Sequence, residues 1–240
     1  MPSFVHGKSA VILFNGYDVS PFMRDTSSAT TIETVETTAF GSSAKSYIVG
    51  KIDAGVSMGG MFEGDTSGSD AIFSALVGVE ADNIVSIFPS GVGTVGNRAM
   101  LVAGKLVSYE TTSPVGDVVS CSVEIQSNDG RDNGVMLAGS SISATGSGSS
   151  VDNTTSSTNG GVAHLNIPVN DRNGTIVVKV QHSSDNSTWV DLVTFSTVSS
   201  STVTSERVEV TSTINRYIRA NYTVNGSSGS ATVYVAFARR

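Results

Sequence analysis

Residues 231–238 read ATVYVAFA. In an extended chain Ala231, Val233, Val235 and Phe237 fall on one side, and Thr232, Tyr234 and Ala236 on the other. A period of two is that of a strand with one face against a core. Stretches of the same kind precede it: VAHLNI, TIVVKVQH, TWVDLVTF, ERVEV and RYIRANYTV in the last third of the chain. Nearer the start come SAVILF (9–14), KSYIVGKID (45–53), GVSMGGMF (55–62), NIVSIF (83–88), RAMLVAGKLVSYE (98–110) and VVSCSVEIQ (118–126). Asn15-Gly16 is a tight-turn signal, Asn173-Gly174 opens a strand, and Asn225-Gly226 is expected between two strands. Gly59 and Gly60 mark a bulge or a close backbone approach. Only SGSDAIFSALVGVE departs from this period. There Ile72, Ala75, Leu76 and Val79 recur at helical spacing behind Ser69 or Asp70 as N-cap, predicting about three turns of helix near 70–79.

Composition points the same way. Of 240 residues, 39% are hydrophobic and only 15% charged, enough apolar material for one or two small cores. Ser, Thr and Gly are dense, as strands joined by many turns require. The expected fold class is all-β with one short helix: an N-terminal β-sandwich or barrel and a C-terminal β-sandwich or jelly roll. The expected domains are residues 1–138, with the helix, and 162–240. Between them GSSISATGSGSSVDNTTSSTNGG (139–161) has almost nothing that packs a core and reads as a flexible linker or long exposed loop.

The net charge of −7 disfavours binding to phosphate backbones, and it suits a wall past which DNA slides without sticking. Cys121, the single cysteine, excludes an intramolecular disulfide and falls on the apolar side of its strand with Val119, Val123 and Ile125. The AVILF run is too short for a signal-peptide core, and no stretch has the roughly 20 apolar residues that span a bilayer, so the expectation is a chain made soluble, with no membrane partner.

Several short matches to catalytic patterns fail on context. GVGTVG (91–96) fits G-x-G-x-x-G, but the residues after it carry strand character instead of a capped helix. HGKS (6–9) resembles the end of a phosphate-binding loop without the preceding strand or glycine. Ser42-x-x-Lys45 and Ser184-Asp185-Asn186 match two of the three serine β-lactamase patterns, with no K-T-G and no helix at Ser42. His6, His164 and His182 are scattered, and NDGRDNG (128–134) puts Arg131 where a calcium ligand belongs. The sequons at Asn153, Asn186 and Asn221 carry little weight without a secretion signal. The expectation is no enzyme, no catalytic residue, no metal and no cofactor.

One longer pattern remains. Gly16-Tyr17-Asp18-Val19-Ser20 follows the first strand. Glu36-Thr37-Thr38-Ala39-Phe40-Gly41 comes next, then Lys45-Ser46-Tyr47-Ile48-Val49-Gly50 and Gly59-Gly60-Met61-Phe62-Glu63-Gly64. In this order they resemble the major tail proteins, or tail tube proteins, of long-tailed bacteriophages, over roughly the first 65 residues and more loosely to about 126. Val49 stands where members of that family often carry proline. The resemblance implies a virion structural protein, made in the host bacterial cytoplasm, that assembles with itself into stacked rings around a lumen through which DNA passes non-specifically. Other virion structural proteins would be its further partners.

Segment 27–47 is the expected inter-subunit loop. Glu36, Thr37, Thr38, Phe40, Gly41, Lys45 and Tyr47 are its assembly residues, with Phe40 and Tyr47 as anchors on a neighbour. The C-terminal stretch VKVQHSSDNSTWVDLVTF with RYIRANYTV resembles jelly-roll modules of the discoidin or galactose-binding type. Trp189, Asp185 and Arg219 are then possible contacts to a surface glycan, Trp189 as a core plug being the plainer reading. Three function classes stay open at this point: tail tube, capsid decoration, and a carbohydrate-binding module on the virion surface.

Overall fold

The structure, a computed structural model, describes residues 5–240. It is built of antiparallel strands: β1 Val11–Phe14, β2 Tyr17–Asp18, β3 Met23–Glu36, β4 Tyr47–Met61, β5 Asn83–Phe88, β6 Arg98–Thr112, β7 Ser120–Ile142, β8 Gly146–Ser147, β9 Val151–Asp152, β10 Gly161–Asn170, β11 Asn173–Ser183, β12 Val190–Thr194, β13 Val198–Ser199, β14 Thr204–Val210, β15 Tyr217–Ser228 and β16 Ala231–Arg239. The all-β expectation holds. The helix is shorter than its spacing predicts: α1 covers Ser69–Phe73, one 3-10 turn follows at Ser74–Leu76, and Val77 is already extended, with Gly78 at positive φ behind it. Its N-cap is Gly68, not Ser69 or Asp70. The Ser69 hydroxyl instead accepts from the Glu63 amide and donates to the Met61 carbonyl.

The described residues form two compact units, one of residues 5–21, 83–101 and 132–240, the other of residues 22–82 and 102–131. These boundaries correct the expected division at 1–138 and 162–240, whose first four residues lie outside the described ones. The reason is pairing across the sequence. β1 pairs with β5, and β16 lies between β10 and β7, so early and late strands share a sheet. The expected linker 139–161 is likewise ordered. Ser140 and Ile142 pair with Val233 and Ala231, β8 and β9 pair with β15, and buried Arg172 donates to the Ser143 carbonyl. Backbone hydrogen bonds hold this segment, and side-chain composition carries no record of them.

In the first unit, one sheet runs β14–β10–β16–β7 and a second runs β12–β11–β15–β8. Leu137, Leu165, Ile176, Val178, Ile218, Val235 and Phe237 belong to the core that both sheets supply. The turn at Asn15-Gly16 has positive φ at both residues, as a two-residue hairpin demands. Asn225-Gly226 is not a connection. It lies inside β15, and a Cβ at Gly226 would stand 1.7 Å from the Asn173 carbonyl oxygen, so the glycine serves a close strand approach.

In the second unit β3 pairs with β4, and β4 over Gly55–Met61 pairs with β7 over Ser120–Gln126. Val56 faces Ile125, Met58 faces Val123, and Gly60 faces Cys121, which puts one apolar row on the buried side. Cys121 is a buried free thiol there. Ile72 and Phe73 of α1 are buried, and Phe73 lies 6.0 Å from the Tyr109 ring. Gly60 fits because a Cβ would meet the Phe22 carbonyl oxygen at 2.4 Å.

Candidate functional site

The strands β3 and β4 pair well beyond the part of β4 that β7 covers. In β4 burial stops abruptly: Ala54 is 4% exposed and Ile52 62%. From Ile32 to Asp53 every residue is exposed, so this half of the hairpin is an arm with solvent on both faces. The period of two continues through it. Paired residues share a face, and the pairs Thr26–Met58, Ser28–Val56, Thr30–Ala54 and Ile32–Ile52 carry the buried row of the sheet outward. Between Ile32 and Thr34 the register shifts, with Glu33 opposed by both Gly50 and Lys51. This bulge keeps Val49 and Tyr47 on the side of Ile52 instead of sending them to the other. Ile32, Ile52, Val49 and Tyr47 thus form an apolar stripe that prolongs a core face, and among the described residues none buries it. The opposite side carries Val35 and Ile48 among Thr31, Glu33 and Asp53.

The tip explains the E-T-T-A-F-G stretch residue by residue. Lys45 Nζ lies 3.0 Å from Glu36 Oε2, and this ammonium, then the Thr38 hydroxyl, hold the Glu36 carboxyl below its ordinary range. Thr37 Oγ1 meets Ser46 Oγ at 3.1 Å, and the Ser46 amide donates to Thr38 Oγ1 at 3.1 Å. The Ser42 amide donates to the Ala39 carbonyl, closing a turn in which Gly41 has φ +92°. That angle favours glycine. Phe40, in the same turn, is fully exposed. The structure therefore brings Glu36, Thr37, Thr38, Phe40, Gly41, Lys45 and Tyr47 together at one end of one element. Sequence reading placed most of the arm in a loop; it is paired strand, with a turn only at 37–46. Ile32, Val49 and Ile52 were missed: Ile52 continues the alternation of Ala54, Val56 and Met58, Ile32 lies opposite it, and Val49 reaches the same face only through the bulge.

Trp189 and Arg219 also come together. Trp189 is half-buried on the second sheet of the first unit, outside its core, so the core-plug reading is corrected. The Arg219 guanidinium lies 4.0 Å from the ring centroid and donates through Nε and Nη2 to Gln181 Oε1. Gln181 in turn donates to Asp191, which also receives Lys179 at 2.6 Å. Asp185 turns to its own loop: it accepts from the Ser187 and Thr188 amides and the Ser183 hydroxyl, which together depress its carboxyl strongly. The charged groups here, Arg219, Asp191, Lys179 and Asp185, each have a partner inside the chain.

The histidines stay apart. His6 accepts from the Lys8 amide, and His182 accepts from the Asn215 amide. His164 is fully buried, with Nδ1 3.0 Å from Ser86 Oγ. Among the described residues no group of three or more His, Cys, Asp or Glu is placed to hold a metal ion, and no helix is long and apolar enough to cross a membrane.

No protein-family model and no curated protein matches the chain. Among solved structures it is similar to a chain of the virion of a native gene transfer agent particle, at 14% identity and TM-score 0.44, over 54% of this chain and 98% of that one. It is similar to a chain of the tail of an empty gene transfer agent particle at 16% identity and TM-score 0.40, over 53% and 97%. It is also similar to the SPP1 Dit protein, described as a hub adsorption apparatus of phages infecting Gram-positive hosts, at 9% identity and TM-score 0.37, over 95% and 98%. These neighbours are tail, hub and virion proteins.

Proposed function

We propose that this chain is a structural subunit of a phage-type tail, which assembles with copies of itself through the β3–β4 arm into stacked rings forming a tube. The observation that carries the reading is the apolar stripe of Ile32, Val49, Ile52 and Tyr47. A core face prolonged into solvent favours a covering partner, because each such side chain stabilises by about 1.5–3 kcal/mol when buried. The free edge of β3, 14 residues long and paired only with β4, adds a backbone template for a neighbour. An arm that leaves one copy and lands on a different surface of the next makes a heterologous contact, which closes into rings when the rotation closes and repeats along an axis otherwise. The order of Gly16–Ser20, Glu36–Gly41, Lys45–Gly50 and Gly59–Gly64, which resembles tail tube proteins, supports the same assignment. The net charge of −7 suits a lumen wall that DNA passes without being held.

The test is negative-stain microscopy of the purified protein beside a Val49→Glu/Ile52→Glu variant. Annuli or tubes are expected for the natural sequence. The variant is expected to remain monomeric with an unchanged circular dichroism spectrum, since both positions are exposed in the free chain. Compact closed particles from the natural sequence would favour capsid decoration instead, and rings from the double variant would remove the arm from the interface.

A further inference from the structure

The arm ends in a fully exposed aromatic ring, and the first unit contains a place of matching size and character. A cleft of about 310 Å³ opens between the loop 89–97 and the far end of β7. Val92, Val95, Met136 and Ile142 give it apolar walls, Ser140, Ser147 and Ser149 add hydroxyls, Gly93 stands at its loop side, and the Tyr222 side chain reaches it. No Asp, Glu, Lys, Arg or His lines it. The tip of the arm is equally neutral: between Glu36 and Lys45, which neutralise each other, residues 37–44 read TTAFGSSA.

Resting on the assembly reading above, we infer that Phe40 of one copy docks into this cleft on a second copy. An apolar cavity of about 150 Å³ already accepts benzene, so 310 Å³ holds a phenylalanine side chain and part of the turn that carries it. Uncharged tip and uncharged lining bury against one another without the desolvation cost that an ion would bring. The seven exposed residues of β4, 47–53, carry the tip about 23 Å beyond the last buried position, enough to leave one copy and enter another. The turn at Ala39–Ser42 and the Glu36–Lys45 pair hold the ring at the apex before contact, so little ordering remains to be done on docking. Knob and cleft are different surfaces, so the contact is heterologous and serves a ring or a stack.

The two halves of the contact can be disabled separately. Phe40→Ser removes the knob. Gly93→Leu fills the cleft, and its Cβ meets nothing within 4 Å, so the fold accepts it; Ser140→Leu is a second filler on another element. Sedimentation velocity on the natural protein, on each variant and on 1:1 mixtures reads the result. Each single variant is expected to need at least about tenfold higher concentration to associate. A mixture of Phe40→Ser with Gly93→Leu is expected to give pairs that do not extend, because one copy supplies the only open cleft and the other the only knob. If Phe40→Ser associates like the natural protein, or if both fillers do while Phe40→Ser does not, the docking is overturned while the assembly reading stands. If the natural protein itself never associates, both are overturned.

Discussion

His164 sits fully buried in the first unit, against Ser86 and Asn166. Burial, and then the positive charge of Arg207, push its imidazole down to about 3. An unfolded histidine titrates near 6.5, so as the pH falls the unfolded chain takes up the proton first. The stability that neutral His164 carries is therefore full above about pH 6.5 and is lost as the pH falls toward 3. His182, lowered by partial burial and by Arg239, pulls in the same direction. Between pH 6.5 and 5, before most carboxylates titrate, the loss at His164 is about 1.5 kcal/mol. Urea denaturation across that interval is expected to show it in the natural protein and to show a much flatter dependence in His164→Gln, whatever the variant's stability at neutral pH. Nothing in VAHLNI announced this residue as buried. The strand was legible, but His164 is on the side away from Leu165 and Ile167, and only the tertiary contact with Ser86 of β5 reveals that this side is covered too.

At the scale of the element, the arm shows what alternation says and what it leaves out. The period of two through Ile52, Ala54, Val56 and Met58 is written in the sequence, whereas the point where burial stops depends on where β7 leaves β4. The turn at Ala39–Ser42, with Gly41 at positive φ, falls inside the stretch read whole as a loop. The bulge opposite Glu33, which decides the face on which Val49 and Tyr47 lie, was not legible, because two registers fit the same pattern. Lys45 and Lys51 lie on the arm, and residues 37–46 make few backbone hydrogen bonds. Trypsin is thus expected to nick the free protein there first, leaving the rest of the chain resistant, and assembled material is expected to be protected at both lysines. Equal cleavage in both states would mean that the arm stays in solvent.

At the scale of the whole molecule, the expected linker was the largest misreading, and its cause is general. A Ser/Gly-rich stretch is disordered only if its amides find no partner, and residues 139–152 find β15 and β16. The same pairing shows how the chain depends on its last strand. β16 is not an edge but stands between β10 and β7, and Val233, Val235 and Phe237 are in the core. A chain stopped before Ala231 loses the partner of two strands at once, so a truncation at Ser230 is expected to be insoluble or to bind hydrophobic dye strongly, measured beside the full chain. Because that strand follows both β7 and β10 in the chain, the first unit's sheet cannot close before Ala231–Arg239 has been made. A chain stopped short of that strand would leave β7 and β10 each without a neighbour, so folding itself would separate interrupted copies from those read through it.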